Sequence, residues 1–165
     1  MTIQIQILAD PASDLLYLNE LLQLVDRASQ NQASPYLYPN GPEFYEGNLA
    51  GATQNVLAWD VSSKKGDTDE IRLVGYAALR SMSPWPAYMD AAEFPPEQCA
   101  LMLLNLVDPD YRGMGIGKQL AEARIQLASE MGYRHLYVTV HPDNQGSVKV
   151  LEKQGFQLLD CKPMF

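Results

Sequence analysis

Ile3, Ile5 and Ile7 alternate with Thr2, Gln4 and Gln6, a period of two that predicts a half-buried strand at the start of the chain. Asp10-Pro11 ends that pattern. Ser13 or Asp14 is placed to cap a helix whose apolar residues Leu15, Leu18, Leu21, Leu22 and Val25, followed by Ala28, recur along one face. Residues 31–48 are dense in proline, glycine and aromatic side chains, which predicts a structured loop or short helical turns. Two strand patterns, 55–61 and 71–80, flank a polar stretch containing Gly66 and so predict an antiparallel hairpin with a long exposed tip. Residues 81–99 form a second loop rich in proline and aromatics, of a length that is uncommon without a function.

The remainder alternates strand and helix. Residues 100–107 are apolar except for Asn105, the pattern of a strand covered on both faces. A helix is predicted over 117–131, with Gly132 placed to end it, and a strand over 134–140, with Leu136, Val138 and Val140 on one face and His135, Tyr137, Thr139 and His141 on the other. A further helix fits 144–154, and a last strand runs from Phe156 to about Cys161. The order β-α-β-α-β makes the first crossover join parallel neighbours. The expected fold is α/β (α+β in some schemes): a mixed, mostly antiparallel sheet of six to seven strands with helices on both faces.

Composition narrows the partners. The 165 residues suit one domain. The formal charge of −8 lies wholly in residues 1–99, with 13 acids against 5 bases, while residues 100–165 carry 7 of each. Net repulsion argues against a nucleic-acid partner. The N-terminus lacks the basic region of a signal peptide, and no apolar run reaches the roughly 20 residues of a membrane span, so a cytoplasmic protein without a membrane partner is expected. Cys99 and Cys161 make no disulfide framework and read as reduced thiols. His135 and His141 share a face but stand six residues apart on a strand, about 20 Å, too far for one ion, so no metal is expected.

The sharpest chemistry lies where the buried strand turns into the next helix, at Val107-Asp108-Pro109-Asp110-Tyr111-Arg112-Gly113-Met114-Gly115-Ile116-Gly117-Lys118. Alternating glycines let a backbone turn tightly and aim its N–H groups at one point, and a helix starting there adds its positive dipole end. That combination holds an anion, most simply a phosphate. Two familiar phosphate motifs fail on spacing. A P-loop requires glycine and Ser/Thr where Arg112 and Gln119 stand, and a dinucleotide fingerprint requires glycine where Lys118 stands.

Here the chain resembles the GNAT family of N-acetyltransferases. Arg112-Gly113-Met114-Gly115-Ile116-Gly117 matches the family's acetyl-CoA loop, Gln/Arg-x-x-Gly-x-Gly/Ala, and Val107 to Tyr111 matches the Val-x-Pro-x-Tyr that often precedes it. Asn144, Ser147, Glu152, Lys153, Gly155 and Phe156 match a second stretch, Asn-x-x-Ala/Ser-x-x-x-Tyr-Glu-Lys-x-Gly-Phe. The resemblance is specific over residues 100–160. It implies acetyl-CoA as co-substrate, its pantetheine arm along the edge formed by Asn105, Leu106 and Val107. The pyrophosphate would rest on Arg112, Gly113, Met114, Gly115, Ile116, Gly117 and Lys118, with Asn144 and Ser147 giving further polar contacts. It also implies transfer of acetyl to a primary amine of a small molecule or peptide by a single domain, with residues 1–99 on the acceptor side.

The resemblance breaks at catalysis. The tyrosine that serves as general acid in many members is Leu151 here, and the position of the glutamate base used by some members is Thr139. His141, Tyr137 and Glu97 are the candidates to replace them. Alternatively, proximity alone contributes roughly 7–11 kcal/mol and leaves proton transfer to solvent. Tyr36, Tyr38, Phe44, Tyr45, Trp85 and Tyr88, with Glu43, Glu46, Asp90 and Glu93, leave two readings: an aromatic and acidic pocket for a cationic amine, or solvated acids and aromatics that pack the loops. Two other readings stand beside the enzyme: a non-catalytic acyl-CoA-binding sensor, which Leu151 favours, and an acetyltransferase of protein N-termini. With few residues left after 161 for a last strand, a homodimer that completes the sheet edge is the expected assembly.

Overall fold

The computed structural model describes residues 1–30, 39–62, 64–65, 68–69, 71–84, 86 and 93–159. Its strands are β1 (Ile3–Ile7), β2 (Gln54–Asp60), β3 (Lys64–Lys65), β4 (Thr68–Asp69), β5 (Arg72–Ser81), β6 (Cys99–Val107) and β7 (His135–Val138). The helices are α1 (Pro11–Asp14), α2 (Leu18–Gln30), α3 (Pro42–Ala50), α4 (Ile116–Glu130) and α5 (Gln145–Lys153). The sheet runs β1-β2-β5-β6-β7, antiparallel except for the β6–β7 pair joined by the α4 crossover, and β3 pairs with β4 at the hairpin tip.

Both faces are covered because the inner strands are apolar on both sides. Leu57 of β2 and Leu73, Tyr76 and Ala78 of β5 pack with Leu21 and Leu24 of α2 and Tyr45 and Leu49 of α3. Val56, Ala58, Val74 and Ala77 face Ile116 and Leu120 of α4. Asp10, rather than Ser13 or Asp14, caps the first helical segment: its side chain accepts from the Ala12 N–H at 3.1 Å, and Pro11 takes the first turn, where a missing N–H matters least. A 3-10 turn over Leu15–Tyr17 then divides the predicted helix in two.

Three expectations are corrected. The main sheet has five strands among the described residues, not six to seven. The strand expected over 134–140 stops at Val138, because β6 turns out of the ladder after Met102 and leaves nothing to pair with. Phe156–Leu159 form no strand; Leu158 and Leu159 are 83% and 75% exposed, so no apolar face is there to drive pairing, and residues 160–165, including Cys161, lie outside the described residues.

Candidate active site

The glycine turn is built by three glycines in two ways. Gly113 and Gly115 adopt φ of +75° and +80°, a region closed to most side chains. Gly117 has an ordinary backbone and is needed for room, since a Cβ there would stand 3.2 Å from Asn105 Nδ2. The first helical bond of α4 runs from the Gln119 N–H to the Gly115 carbonyl, which leaves the four N–H groups from Gly115 to Lys118 without a helical partner. Four unpartnered amides at a helix N-terminus, next to a turn of positive-φ glycines, fit an anion such as pyrophosphate. Met114 and Arg112 are exposed beside it, whereas the Ile116 side chain is buried in the core. Lys118 points to solvent and pairs with Glu122 at 3.6 Å.

A buried carboxylate anchors the turn. Asp108, 1% exposed, accepts from Arg27 Nε at 2.7 Å, from Arg72 Nη2 at 2.9 Å and from the Asp110 N–H at 3.1 Å. Tyr111 donates to Asp60 at 2.8 Å, and the Arg72 guanidinium lies 5.6 Å from the Tyr111 ring centroid. The strand therefore enters the glycine turn along a fixed path.

A free strand edge comes from a defect in β6. Tyr76 pairs with Leu106 and Ala78 with Leu103, so Leu104 and Asn105 together oppose Ala77 in a β-bulge. Leu104 takes φ of +54°, a conformation that costs a non-glycine residue roughly 1–2 kcal/mol. Pairing with β7 ends at Met102–Val138, and from Leu103 to Val107 the outer edge of β6 carries no strand among the described residues. An extended ligand fits there as an added strand. Beneath the bulge lies Arg124, 3% exposed, donating to the carbonyls of Ala78, Leu103, Leu104 and Leu120 and to Asn105 Oδ1 at 2.8–3.4 Å. Burial brings its guanidinium down to about 10, against an opposing influence from Tyr76, so it stays charged at neutral pH. Asn105 Nδ2 donates in turn to the Gly117 carbonyl at 3.3 Å. The Asn105 side chain is thus committed to α4, and only its backbone remains for a ligand. Leu106 and Val107 likewise offer backbone, the Leu106 side chain being buried. Sequence reasoning passed over Asp108 and Arg124. The second left a signal, an arginine in the apolar stripe between Leu120 and Ala128.

The candidate reacting groups separate. Tyr137 stands opposite Leu101, one pair before β6 and β7 part, and packs on Met82, Cys99 and Leu101. Burial raises its phenol, helped by Cys99 and Glu93, so it remains protonated. His141 is exposed in the turn after β7, its Nδ1 accepting from the Asp143 N–H at 3.2 Å. Glu97 is exposed in the 3-10 turn Pro96–Gln98 that leads into β6, whose strand then runs about 13 Å from Cys99 to Leu103, which sets it apart from the cleft. Asn144 Oδ1 accepts from the Ser147 backbone N–H at 3.2 Å and caps α5, so the Asn144 oxygen holds a helix start. Leu151 puts an apolar side chain on α5.

On the acceptor side, Tyr45 is fully buried against Phe44 and Tyr76 and is closed to a ligand. Glu43, Glu46 and Glu93 are exposed, while Tyr36, Tyr38, Trp85, Tyr88 and Asp90 lie outside the described residues. His135 stacks on Phe94 with ring centroids 3.6 Å apart, and the described residues contain no cluster of three potential metal ligands. Nor do they contain a helix long and apolar enough to cross a membrane.

A helix N-terminus of undonated amides thus stands beside a free strand edge. The chain belongs to the acetyltransferase (GNAT) family, which matches residues 19–156. It is 29% identical over 100 residues, 61% of the chain, to the mycothiol acetyltransferase of Geodermatophilus obscurus, and 26% identical over 144 residues, 86% of the chain, to an uncharacterised Mycobacterium leprae protein. The matches span 27% and 34% of those relatives' own lengths. Among solved structures, the aminoglycoside N-acetyltransferase AAC(6')-Iy superposes with a TM-score of 0.67 at 17% identity, covering 100% of this chain and 97% of that one. The Escherichia coli ribosomal-protein-S18-alanine N-acetyltransferase superposes at 0.66 and 18%, over 96% and 80%. The Thermoplasma acidophilum PaiA N-acetyltransferase, solved with coenzyme A, gives 0.68 and 17%, over 98% and 94%. These likenesses establish the fold.

Proposed function

We propose that the chain is an N-acetyltransferase that moves acetyl from acetyl-CoA to a primary amine of a small molecule or peptide, as one domain. The observation that carries this is the set of four undonated amides from Gly115 to Lys118 at the start of α4, close in sequence to the free edge of β6. The turn takes the pyrophosphate, and the backbone of Asn105, Leu106 and Val107 takes the pantetheine arm. This aligns the thioester with an incoming amine at the mouth between β6 and β7. In the reaction the amine nitrogen bonds to the acetyl carbon, the C–S bond breaks, and the departing sulfur takes a proton. Tyr137 is the donor, since its phenol stays protonated and stands where the strands part. The proton shed by the amine passes to solvent or to His141 at the mouth.

The acidic surplus of residues 1–99, including exposed Glu43 and Glu46 on α3, favours a cationic acceptor. A mycothiol acetyltransferase, an aminoglycoside acetyltransferase and a ribosomal-protein acetyltransferase among the similar proteins span small molecules and protein amines. Thiol release from acetyl-CoA in the presence of polyamines, amino sugars and peptides tests the proposal. Amine-dependent release is expected. Tight CoA binding with no release on any of these amines would favour the sensor reading that Leu151 suggests.

A further inference from the structure

Arg124 follows Leu120 by four residues and precedes Ala128 by four, so α4 gives a core-facing position to a cation. Among the described residues no carboxylate pairs with it, and all its acceptors are neutral. Buried charged groups are often replaceable by apolar side chains of similar volume without loss of stability. The acceptors explain the choice better than stability does. The carbonyls of Ala78, Leu103 and Leu104 belong to the bulge, where the ladder opens and buried oxygens need another donor. A guanidinium presents a planar fork of donors, and here one fork spans both strands of the bulge. Its other arm reaches Asn105 Oδ1, and Asn105 reaches the Gly117 carbonyl at the start of α4. One chain of bonds thus ties the free edge of β6 to the glycine turn.

We propose that Arg124 is a positioning residue for acyl transfer: it holds the left-handed bulge at Leu104 and so fixes the edge Leu103–Val107 relative to the glycine turn. The kinetic arm of the test rests on the acetyltransferase reading; the structural arm does not. In Arg124→Met, amide hydrogen exchange at Ala78 and Leu103–Leu106 should quicken at least tenfold while exchange in the β1–β2 pair is unchanged. The kcat should fall at least 20-fold, with the CoA dissociation constant within threefold of wild type because the turn still holds the phosphates. Adding Leu104→Gly, which takes positive φ freely, should return at least fivefold of the lost kcat. Should Arg124→Met fail to fold, Arg124→Lys, which keeps the charge and loses the fork, carries the same readouts with the same signs.

Unchanged exchange at the bulge overturns the proposal whether or not any amine is acetylated. A wild-type kcat overturns it too, as does a kcat loss matched by loss of CoA affinity and not recovered by Leu104→Gly. Failure of the acetyltransferase reading shows separately, as wild-type protein that neither binds CoA nor releases thiol.

Discussion

Burial pushes both Asp108 and Tyr137 up, yet the two groups end on opposite sides of their ordinary values. Burial pushes the Asp108 carboxyl up, but the Arg27 hydrogen bond, the Asp110 N–H and the charges of Arg72 and Arg27 outweigh it and hold the group below its ordinary 3.8. Because its folded value is the lower one, its contribution to stability is complete above that ordinary value and is lost as pH falls toward the folded value. Asp108→Asn should cost roughly 2–3 kcal/mol in urea unfolding, under the full figure for a buried pair because Arg27 and Arg72 stay 29% and 38% exposed. The difference from wild type should hold between about pH 5 and 8 and shrink below about pH 4. Burial, with Cys99 and Glu93 adding to it, raises the Tyr137 phenol from 10.0, so it stays a donor across the neutral range. Tyr137→Phe should lower kcat by about 10²-fold with little change in the KM for acetyl-CoA, read by steady-state thiol release. An equal loss in both constants would assign the tyrosine to binding instead.

The elements that hold the candidate cofactor were legible in sequence where local rules decide them. Glycines 113 and 115 need positive φ, and Gly117 needs the room that Asn105 leaves. Accordingly Gly113→Ala should strain the turn, while Gly117→Ala should push α4 from β6. Both should weaken CoA binding and lower the melting temperature, the first through about 1–2 kcal/mol of positive-φ strain and the second through the crowded contact with Asn105. What escaped notice depends on tertiary context. Nothing local to Leu104 announces a left-handed residue, since the bulge exists only because β5 and β6 pair out of step and Arg124 reaches up from α4. The short β7 has the same origin: residues 134–140 alternate as a strand should, but β6 departs after Met102. At 156–159 the consecutive Leu158 and Leu159 suggested a strand, yet without a covering layer they stand in solvent. Asn144, expected to contact the cofactor, uses its side-chain oxygen to cap α5 by accepting the Ser147 N–H.

At the scale of the whole molecule, charge and fold divide the chain alike. The part that carries the glycine turn is balanced, and the −8 belongs to residues 1–99, which supply β1, β2, β5 and the helices on the face opposite α4. A polyanionic co-substrate on one side and a cationic amine on the other suit that division. The kcat/KM for a polyamine should therefore fall as salt rises from about 0.05 to 0.5 M, as screening weakens attraction over a shortening Debye length, while a neutral acceptor should respond little. The central claim, that the glycine turn and the β6 edge together form an acyl-CoA site, is tested most directly by calorimetric titration of acetyl-CoA into wild-type protein and into Gly115→Glu. That substitution puts a strained side chain and a negative charge at the anion site. One-to-one binding by the wild type, with at least a 100-fold loss in a still-folded variant, is the predicted result. Equal affinity in both, or no binding by the wild type, would contradict it.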